Sequence, residues 1–271
     1  MTARILIIAG SDSGGGAGIQ ADIKTVTMMG GHAMTAVTAL TAQNTLGVEG
    51  VLPISADFVL QQMDMVVSDI GVDAVKIGMI GAPDTAERVT ERLAALSGTS
   101  IVFDPVMVAS SGAALADKAT ITAFRKLLGI ATIVTPNAPE LGILTGRAVT
   151  SAEEAEEAGK ALAAEWNVAV LAKGGHIDGP VLRDTLIEAD GIRTHWESAR
   201  VDTRNTHGTG CTLASAIATG LGQGRPLVEA VARARDYLQR AIAAAPGFGA
   251  GHGPLGHALG VIPYERADAT N

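Results

Sequence analysis

Short apolar runs recur along the chain at 5–9, 33–38, 74–77, 100–103, 132–135 and 168–172. They are continuous rather than alternating, the pattern of strands buried on both faces. Between them lie alanine-rich segments with helical spacing at 21–29, 56–69, 83–96, 118–128 and 152–165. Strand and helix in alternation predict a mostly parallel central sheet with helices on both faces, an α/β fold. Near 181–198 the rhythm breaks. Two strand-like pieces there flank Ala189, Asp190 and Gly191, a turn signal that predicts a small β-hairpin late in the chain. Helical patterning returns at 212–222 and 227–245. No Pro/Ser linker, composition shift or solenoid repeat divides the sequence, so residues 1–271 read as a single domain.

Composition narrows the setting rather than the fold. Of 271 residues, 47% are hydrophobic and 18% charged, with mean hydropathy +0.29, which excludes a disordered chain. The lone cysteine, Cys211, allows no internal disulfide, and no Cys/His cluster offers a zinc site. A reducing, cytoplasmic location is the expectation. The net charge of −8 argues against nucleic acid and anionic membrane surfaces as partners. The opening apolar run is too short for a secretion signal and leads into glycines. Two long stretches, 25–48 and 205–224, carry no Asp, Glu, Lys or Arg. Both are broken by Gly, Thr and other small polar residues, which fails as a membrane span and suits backbone lying close to a ligand.

Five segments carry candidate chemistry. Residues 10–22, GSDSGGGAGIQAD, join the first strand to the first helix, and their glycines permit close approach to a ligand beyond the strand ends. Gly16 to Ala21 fits the GxGxxA pattern of dinucleotide-binding loops. Residues 10–15 intervene after the strand, however, and no acid stands near 36–40, where a ribose ligand belongs. A second match at 251–256 has no preceding strand, and no GxxxxGK[ST] loop occurs. Residues 205–212, NTHGTGCT, feed a glycine-rich turn into a helix. The N–H groups of Gly208, Thr209, Gly210 and Cys211 would converge there with the positive end of the helix dipole, an anion hole for a transferring phosphoryl group. A thiol in such a first turn is expected to have a lowered pKa, although a lone cysteine also reads as a small buried hydrophobe.

Asp104, in DPVM at 104–107, and Glu140, in TPNAPE at 135–140, would both face the same crevice and help hold Mg²⁺ through water. Asn137 and Glu140 equally fit a capping box, with Pro139 tolerated in the first turn, and the two roles can coexist. Lys173, before Gly174 and Gly175, either reaches a phosphate or stands in solvent. Met79, at the end of KIGM, lines an apolar pocket or fills core. The acidic run at 153–157 complements a helix start and reads as a solvated face.

Together these segments resemble the hydroxymethylpyrimidine/phosphomethylpyrimidine kinases of thiamine biosynthesis, in the ribokinase-like superfamily. The resemblance runs from IAGSD at 8–12 through TALTAQN at 38–44, KIGM, DPVM, TPN, KGGH at 173–176 and NTHGTGC to GHGPL at 251–255, nearly the whole chain. NTHGTGC is its most specific part, because most of the superfamily carries a catalytic Asp where Cys211 stands. The resemblance implies a ribokinase-like fold and ATP-dependent phosphorylation of 4-amino-5-hydroxymethyl-2-methylpyrimidine, first to its monophosphate and then to the pyrophosphate. It implies a pyrimidine site of Gly10, Asp22, Gln43, Met79, Val106 and Cys211, with Asp22 and Gln43 hydrogen-bonding the ring's amino group and nitrogens. Cys211 would position the hydroxyl and accept its proton. On the nucleotide side the resemblance puts Lys173, Thr209 and Asn137 near the phosphates of ATP, and Asp104 and Glu140, with Asn137, near Mg²⁺ and its waters. It assigns no adenine residue. Some relatives carry lysine where Ser110 stands, so a phosphate contact is absent or replaced here.

The resemblance also implies a homodimer. The alternatives are pyridoxal kinase or a dual pyridoxal/hydroxymethylpyrimidine kinase, a catalytically silent ligand-binding protein, and an NAD-dependent oxidoreductase. Lys173, Asp104 and the anion-hole string argue against the silent binder, and the missing ribose acid against the oxidoreductase.

Overall fold

Every apolar run forms a strand, and successive residues of these strands enter two separate cores. The computed structural model describes residues 2–108, 112 and 115–258; Ser110 and Ser111 lie outside the described residues. In chain order the elements are β1 Arg4–Asp12, α1 Gly18–Met28, β2 His32–Gln43, β3 Val48–Pro53, α2 Ala56–Asp69 and β4 Ala74–Ile77. Next come α3 Pro83–Ala94, β5 Ser100–Phe103, α4 Lys118–Leu128, β6 Ile133–Val134, α5 Ala138–Thr145 and α6 Ala152–Trp166. The last are β7 Ala169–Ala172, β8 Val181–Ile187, β9 Arg193–Ala199, α7 Thr209–Gly222 and α8 Leu227–Ala243.

The nine strands form one sheet in the order β3-β2-β1-β4-β5-β6-β7-β8-β9. Strands β2, β1, β4, β5, β6 and β7 are parallel to one another. The edge strand β3 and the β8–β9 hairpin are antiparallel. Leu6 and Ile8 of β1 face a core closed by α2 to α6, whereas Ile5, Ile7 and Ala9 face one closed by α1, α7 and α8. Side chains of Ser55, Asp117 and Ser151 accept first-turn N–H groups and so start α2, α4 and α6. No helix among the described residues is long and apolar enough to cross a membrane.

Three departures from the sequence reading bear on the site. Strand β1 continues to Asp12, so Gly10 and Ser11 belong to the sheet rather than to a loop, and the register of β1 on β2 shifts between Ala9 and Ser11. Such an irregularity re-aims the backbone locally. Strand β2 continues to Gln43 and pairs with β3, an antiparallel ribbon concealed by its Thr, Gln and Gly content. Helix α7 begins at Thr209, three residues earlier than the apolar pattern indicates. The connection from β1 runs to β2 on one side and that from β4 to β5 on the other, so a crevice opens between the carboxyl ends of β1 and β4.

Candidate active site

A cavity of about 580 Å³ opens at that crevice, lined by the carboxyl ends of β1, β4 and β5, the residues after β6 and β7, and the start of α7. This volume falls in the range of about 300–1,000 Å³ usual for small-ligand sites. Each motif singled out in the sequence sends residues to it.

Gly10, Gln43, Met79, Val106 and Cys211 all line the cavity. A Cβ on Gly10 would lie 3.1 Å from the Met79 sulfur, so the glycine leaves room for the thioether. Asp22 departs from the implied pyrimidine site and is not among the lining residues. It lies on the face of α1 that packs against the sheet and is fully buried. Its Oδ2 pairs with Lys76 Nζ at 2.8 Å, and its Oδ1 accepts from Ser215 Oγ at 2.7 Å. A buried ammonium needs a counter-charge, and Asp22 supplies it. Lys76 is the member of the pair that reaches the cavity wall. Burial alone would lower the Lys76 ammonium, but Asp22, with Cys211 and Asp104 nearby, outweighs it and pushes the group above its ordinary value.

A second polar cluster went unread in the sequence. Asp12 Oδ1 accepts from Gly14 N–H at 2.8 Å, and Oδ2 from Gly16 and Ala17 N–H at 2.9 and 2.8 Å. Asp12 thus folds the glycine loop around itself. His207 Nε2 lies 2.9 Å from the same Oδ2 and 3.1 Å from the Gln43 amide. Burial would raise the Asp12 carboxyl, but His207 and the loop N–H groups together hold it below its ordinary value.

Directly after His207, and packed on the Gly16 loop, Gly208 stands in the left-handed conformation, φ 85°, as N-cap of α7. The N–H groups of Gly210 and Cys211 fall in the first turn, where no intrahelical acceptor exists. Lys173 Nζ donates to Asp104 Oδ1 at 3.0 Å, which also accepts from Thr135 Oγ1 at 3.1 Å. A Cβ built on Gly210 would meet Asp104 Oδ2 at 3.1 Å and Lys173 Nζ at 3.4 Å, so this ion pair lies directly against the helix start.

Asn137 and Glu140 form the capping box of α5: Glu140 N–H donates to Asn137 Oδ1 at 2.9 Å, and Asn137 N–H to Glu140 Oε2 at 2.8 Å. Both still line the cavity, so capping and a further role coexist geometrically. Burial pushes the Glu140 carboxyl up to about 7, with Lys173 opposing and Asp104 adding to the shift. Lys173 is pushed upward, because Asp104 and Glu140 outweigh its burial.

The Cys211 thiol does not follow the helix-start expectation. Burial pushes it up to about 11, against the pull of Lys76. At neutral pH Cys211 is therefore a thiol, not a thiolate.

The lining also includes the apolar Leu182, Val201, Leu213, Leu238 and Ile242, with Asp184, Arg200 and Gln239 among them. These come from β8, α7, α8 and the segment after β9, elements whose apolar residues read in sequence only as core. Asp184 braces this side: its Oδ1 accepts from Gly174 N–H at 2.8 Å and its Oδ2 from Arg235 Nε at 2.7 Å. Arg235 in turn lies over the Trp196 ring at 5.6 Å. The turn after Lys173 is thereby fixed from α8.

A family model for phosphomethylpyrimidine kinase matches residues 12–256. A hydroxymethylpyrimidine/phosphomethylpyrimidine kinase of Rhizobium meliloti is 47% identical over 262 residues, 95% of this chain and 97% of that protein. A thiamine biosynthesis bifunctional protein of Geobacter sulfurreducens is also 47% identical, over 94% of this chain; the chain spans only 52% of that protein's length. Among solved structures, a Bacillus subtilis pyridoxal kinase in complex with ADP has a TM-score of 0.88 at 31% identity, covering 95% of this chain and 98% of that one. A Clostridium difficile phosphomethylpyrimidine kinase has a TM-score of 0.78 at 36% identity, covering 89% of this chain and 100% of that one. With the matched model spanning most of its length and the Rhizobium meliloti relative aligned nearly end to end, the chain belongs to the phosphomethylpyrimidine kinase family.

Proposed function

We propose that this chain transfers the γ-phosphoryl group of ATP to the hydroxymethyl oxygen of 4-amino-5-hydroxymethyl-2-methylpyrimidine, and then adds a second phosphoryl group to the monophosphate. The pyrophosphate so formed is the pyrimidine unit for thiamine assembly. One observation carries the reading: an anion hole at α7, the Lys173–Asp104 pair and the residues Gln43, Met79 and Val106 all line one cavity. Nucleotide use is supported by the ADP complex of the Bacillus subtilis pyridoxal kinase. In this reading Leu182, Val201, Leu213, Leu238 and Ile242 of the same lining would offer apolar surface to an adenine ring.

Phosphoryl transfer depends on positioning and on stabilising charge, because its transition state is loose. Gly210 and Cys211 N–H would hold the equatorial oxygens, and Lys173 would leave Asp104 in part to meet the γ-phosphate. Asp104 and Glu140 supply hard oxygen donors suited to Mg²⁺, and the raised Glu140 carboxyl is one that a cation would return to its charged form. No group of three metal-binding side chains exists among the described residues, so the fit is to an ion held chiefly by phosphate and water. When bound, Mg²⁺ would neutralise phosphate charge. We read the chain as a single kinase domain acting as a homodimer. Exposed Leu40, Val51 and Leu52 on the β2–β3 ribbon support the pairing, which sedimentation would measure.

In this reading the hydroxyl proton leaves late, as the P–O bond forms, and passes to Cys211 Sγ. A sulfur whose thiol titrates at about 11 accepts a proton only in its minor thiolate form, whose population grows about tenfold per pH unit. The wild-type kcat is therefore expected to climb between about pH 7 and about pH 9. Cys211→Ala is expected to lower kcat at least about a hundredfold and to flatten that slope, with KM changing far less. Near-normal turnover by this variant would make Cys211 a packing residue.

The overall reading is tested by supplying ATP, Mg²⁺ and either the pyrimidine alcohol or pyridoxal and following products by mass. Pyrimidine monophosphate followed by pyrophosphate is the expected result. Pyridoxal phosphate alone would overturn it in favour of a pyridoxal kinase, and no product from either would favour a silent binder.

A further inference from the structure

The Gln43 amide lies between two neighbours whose hydrogens can be counted. Asp12 accepts N–H groups from Gly14, Gly16 and Ala17, and a carboxylate so engaged has only lone pairs to offer His207. His207 Nε2, 2.9 Å from Asp12 Oδ2, must then carry a hydrogen, in the neutral and the charged ring alike. On the other side, Thr41 Oγ1 has one hydrogen for two contacts, the Ser11 carbonyl at 2.9 Å and Gln43 at 3.2 Å; given to the shorter one, it leaves only lone pairs for Gln43.

The amide has its Nε2 position 3.1 Å from His207 Nε2 and its Oε1 position 3.2 Å from Thr41 Oγ1. The two ends of an amide have the same shape, so the neighbours' chemistry decides which atom occupies which position. His207 Nε2 has one hydrogen, which Asp12 Oδ2 and the amide would share, and no lone pair to offer; Thr41 Oγ1 is an acceptor. Only one arrangement satisfies both: oxygen toward His207 and nitrogen toward Thr41. The reverse sets N–H against N–H and oxygen against oxygen.

The His207 ring cannot swing away to relieve a mismatch. A Cβ on Gly16 would meet its Cδ2 at 2.6 Å, and the backbone N–H of His207 donates to the Gly253 carbonyl at 3.1 Å. Asp12, held below its ordinary pKa, stays an acceptor throughout the neutral range.

We propose that the Asp12–His207 pair is a positioning element that fixes the polarity of Gln43. The outer edge of the amide then offers an acceptor on the His207 side and a donor on the Thr41 side. The site selects a ring whose exocyclic amino group donates to the first while the adjacent ring nitrogen accepts from the second. It rejects a ring with donor and acceptor exchanged. This inference rests on the reading of the cavity as an aminopyrimidine site.

The test compares the 4-amino pyrimidine alcohol with its 4-oxo counterpart, in which a carbonyl and a ring N–H reverse the pattern. The wild type is expected to prefer the amino ring in kcat/KM. His207→Phe keeps a ring but removes the N–H, and is expected to shrink that preference on the order of tenfold, through KM more than kcat. His207→Gln, which restores an N–H near the Nε2 position, is expected to recover much of it. Long-range ¹H–¹⁵N correlation on the unmutated enzyme reads the ring directly and is expected to find Nε2 protonated, so the idea stays testable even if the variants do not fold. An unprotonated Nε2, or an unchanged preference in folded His207→Phe, overturns this inference while wild-type phosphorylation of the amino ring keeps the kinase reading intact. A wild type that phosphorylates neither ring defeats both.

Discussion

Replacing Lys76 with methionine is expected to remove about 3–5 kcal/mol of folding stability, the range for breaking a buried ion pair from one side. Lys76 sits in β4, between β1 and β5, with its side chain wholly buried against Asp22. Ser215 Oγ of α7 completes the group, so one cluster ties the sheet to both α1 and α7. Methionine fills similar space but leaves the carboxylate with only a hydroxyl donor. Asp22 would respond by holding a proton, since burial already pushes its carboxyl upward and Lys76 is the main opposing influence. A carboxyl whose folded-state pKa exceeds its unfolded value stabilises the protein at low pH and loses that contribution as pH rises through the folded value. The Lys76→Met variant should therefore melt lower at about pH 8 than at about pH 5, with a steeper decline than the wild type. Urea denaturation at the two pH values measures this. Asp22→Leu in the same chain removes the stranded charge and should recover part of the loss. A single variant within about 1 kcal/mol of the wild type would show that the pair contributes little. The Cys211 thiol reports the same change, because Lys76 is the charge that lowers it and its loss should raise the thiol further.

The sequence made the central sheet legible because parallel strands buried on both faces are written as unbroken apolar runs, and strand ends point to the crevice in any such fold. It also marked most of the cavity lining, since glycine-rich strings and isolated polar residues stand out against those runs. What it hid were pairings between distant residues. Asp12 and His207 are 195 positions apart, and neither invites pairing with the other until the C-terminal segment lays Gly253 against His207. Asp22 counts as a ligand only through the family resemblance, in which its carboxylate meets the ring's amino group. Its true partner, Lys76, was the one charge inside an otherwise apolar strand, and that anomaly was the signal to follow. The Cys211 thiol was misjudged for a related reason. A helix start lowers a thiol's pKa, but burial raises it, and burial is a tertiary property.

Gly208→Ala is expected to reduce kcat about a hundredfold to a thousandfold, the loss typical of a displaced oxyanion donor. Two demands meet at this residue. Its φ of 85° is left-handed, and a Cβ there would land against the Gly16 carbonyl oxygen, far inside contact distance. The first demand alone costs roughly 1 kcal/mol for an alanine. The second sets the new methyl group against backbone, which cannot rotate away as a side chain can, so one of the two glycine loops must move. Displacement of the α7 start carries His207 and the Gly210 and Cys211 N–H groups with it, and displacement of the Gly16 loop draws Asp12 away from His207. Either movement separates the phosphate-holding wall from the pyrimidine wall, whose spacing in-line transfer requires. Gly224→Ala supplies the control: its φ is 77°, equally left-handed, but nothing lies within 4 Å of a Cβ there. That variant should lose a similar increment of thermal stability and keep its kcat. If Gly208→Ala behaves no differently from Gly224→Ala in single-turnover phosphorylation, backbone contact between the loops is not what holds the anion hole in place.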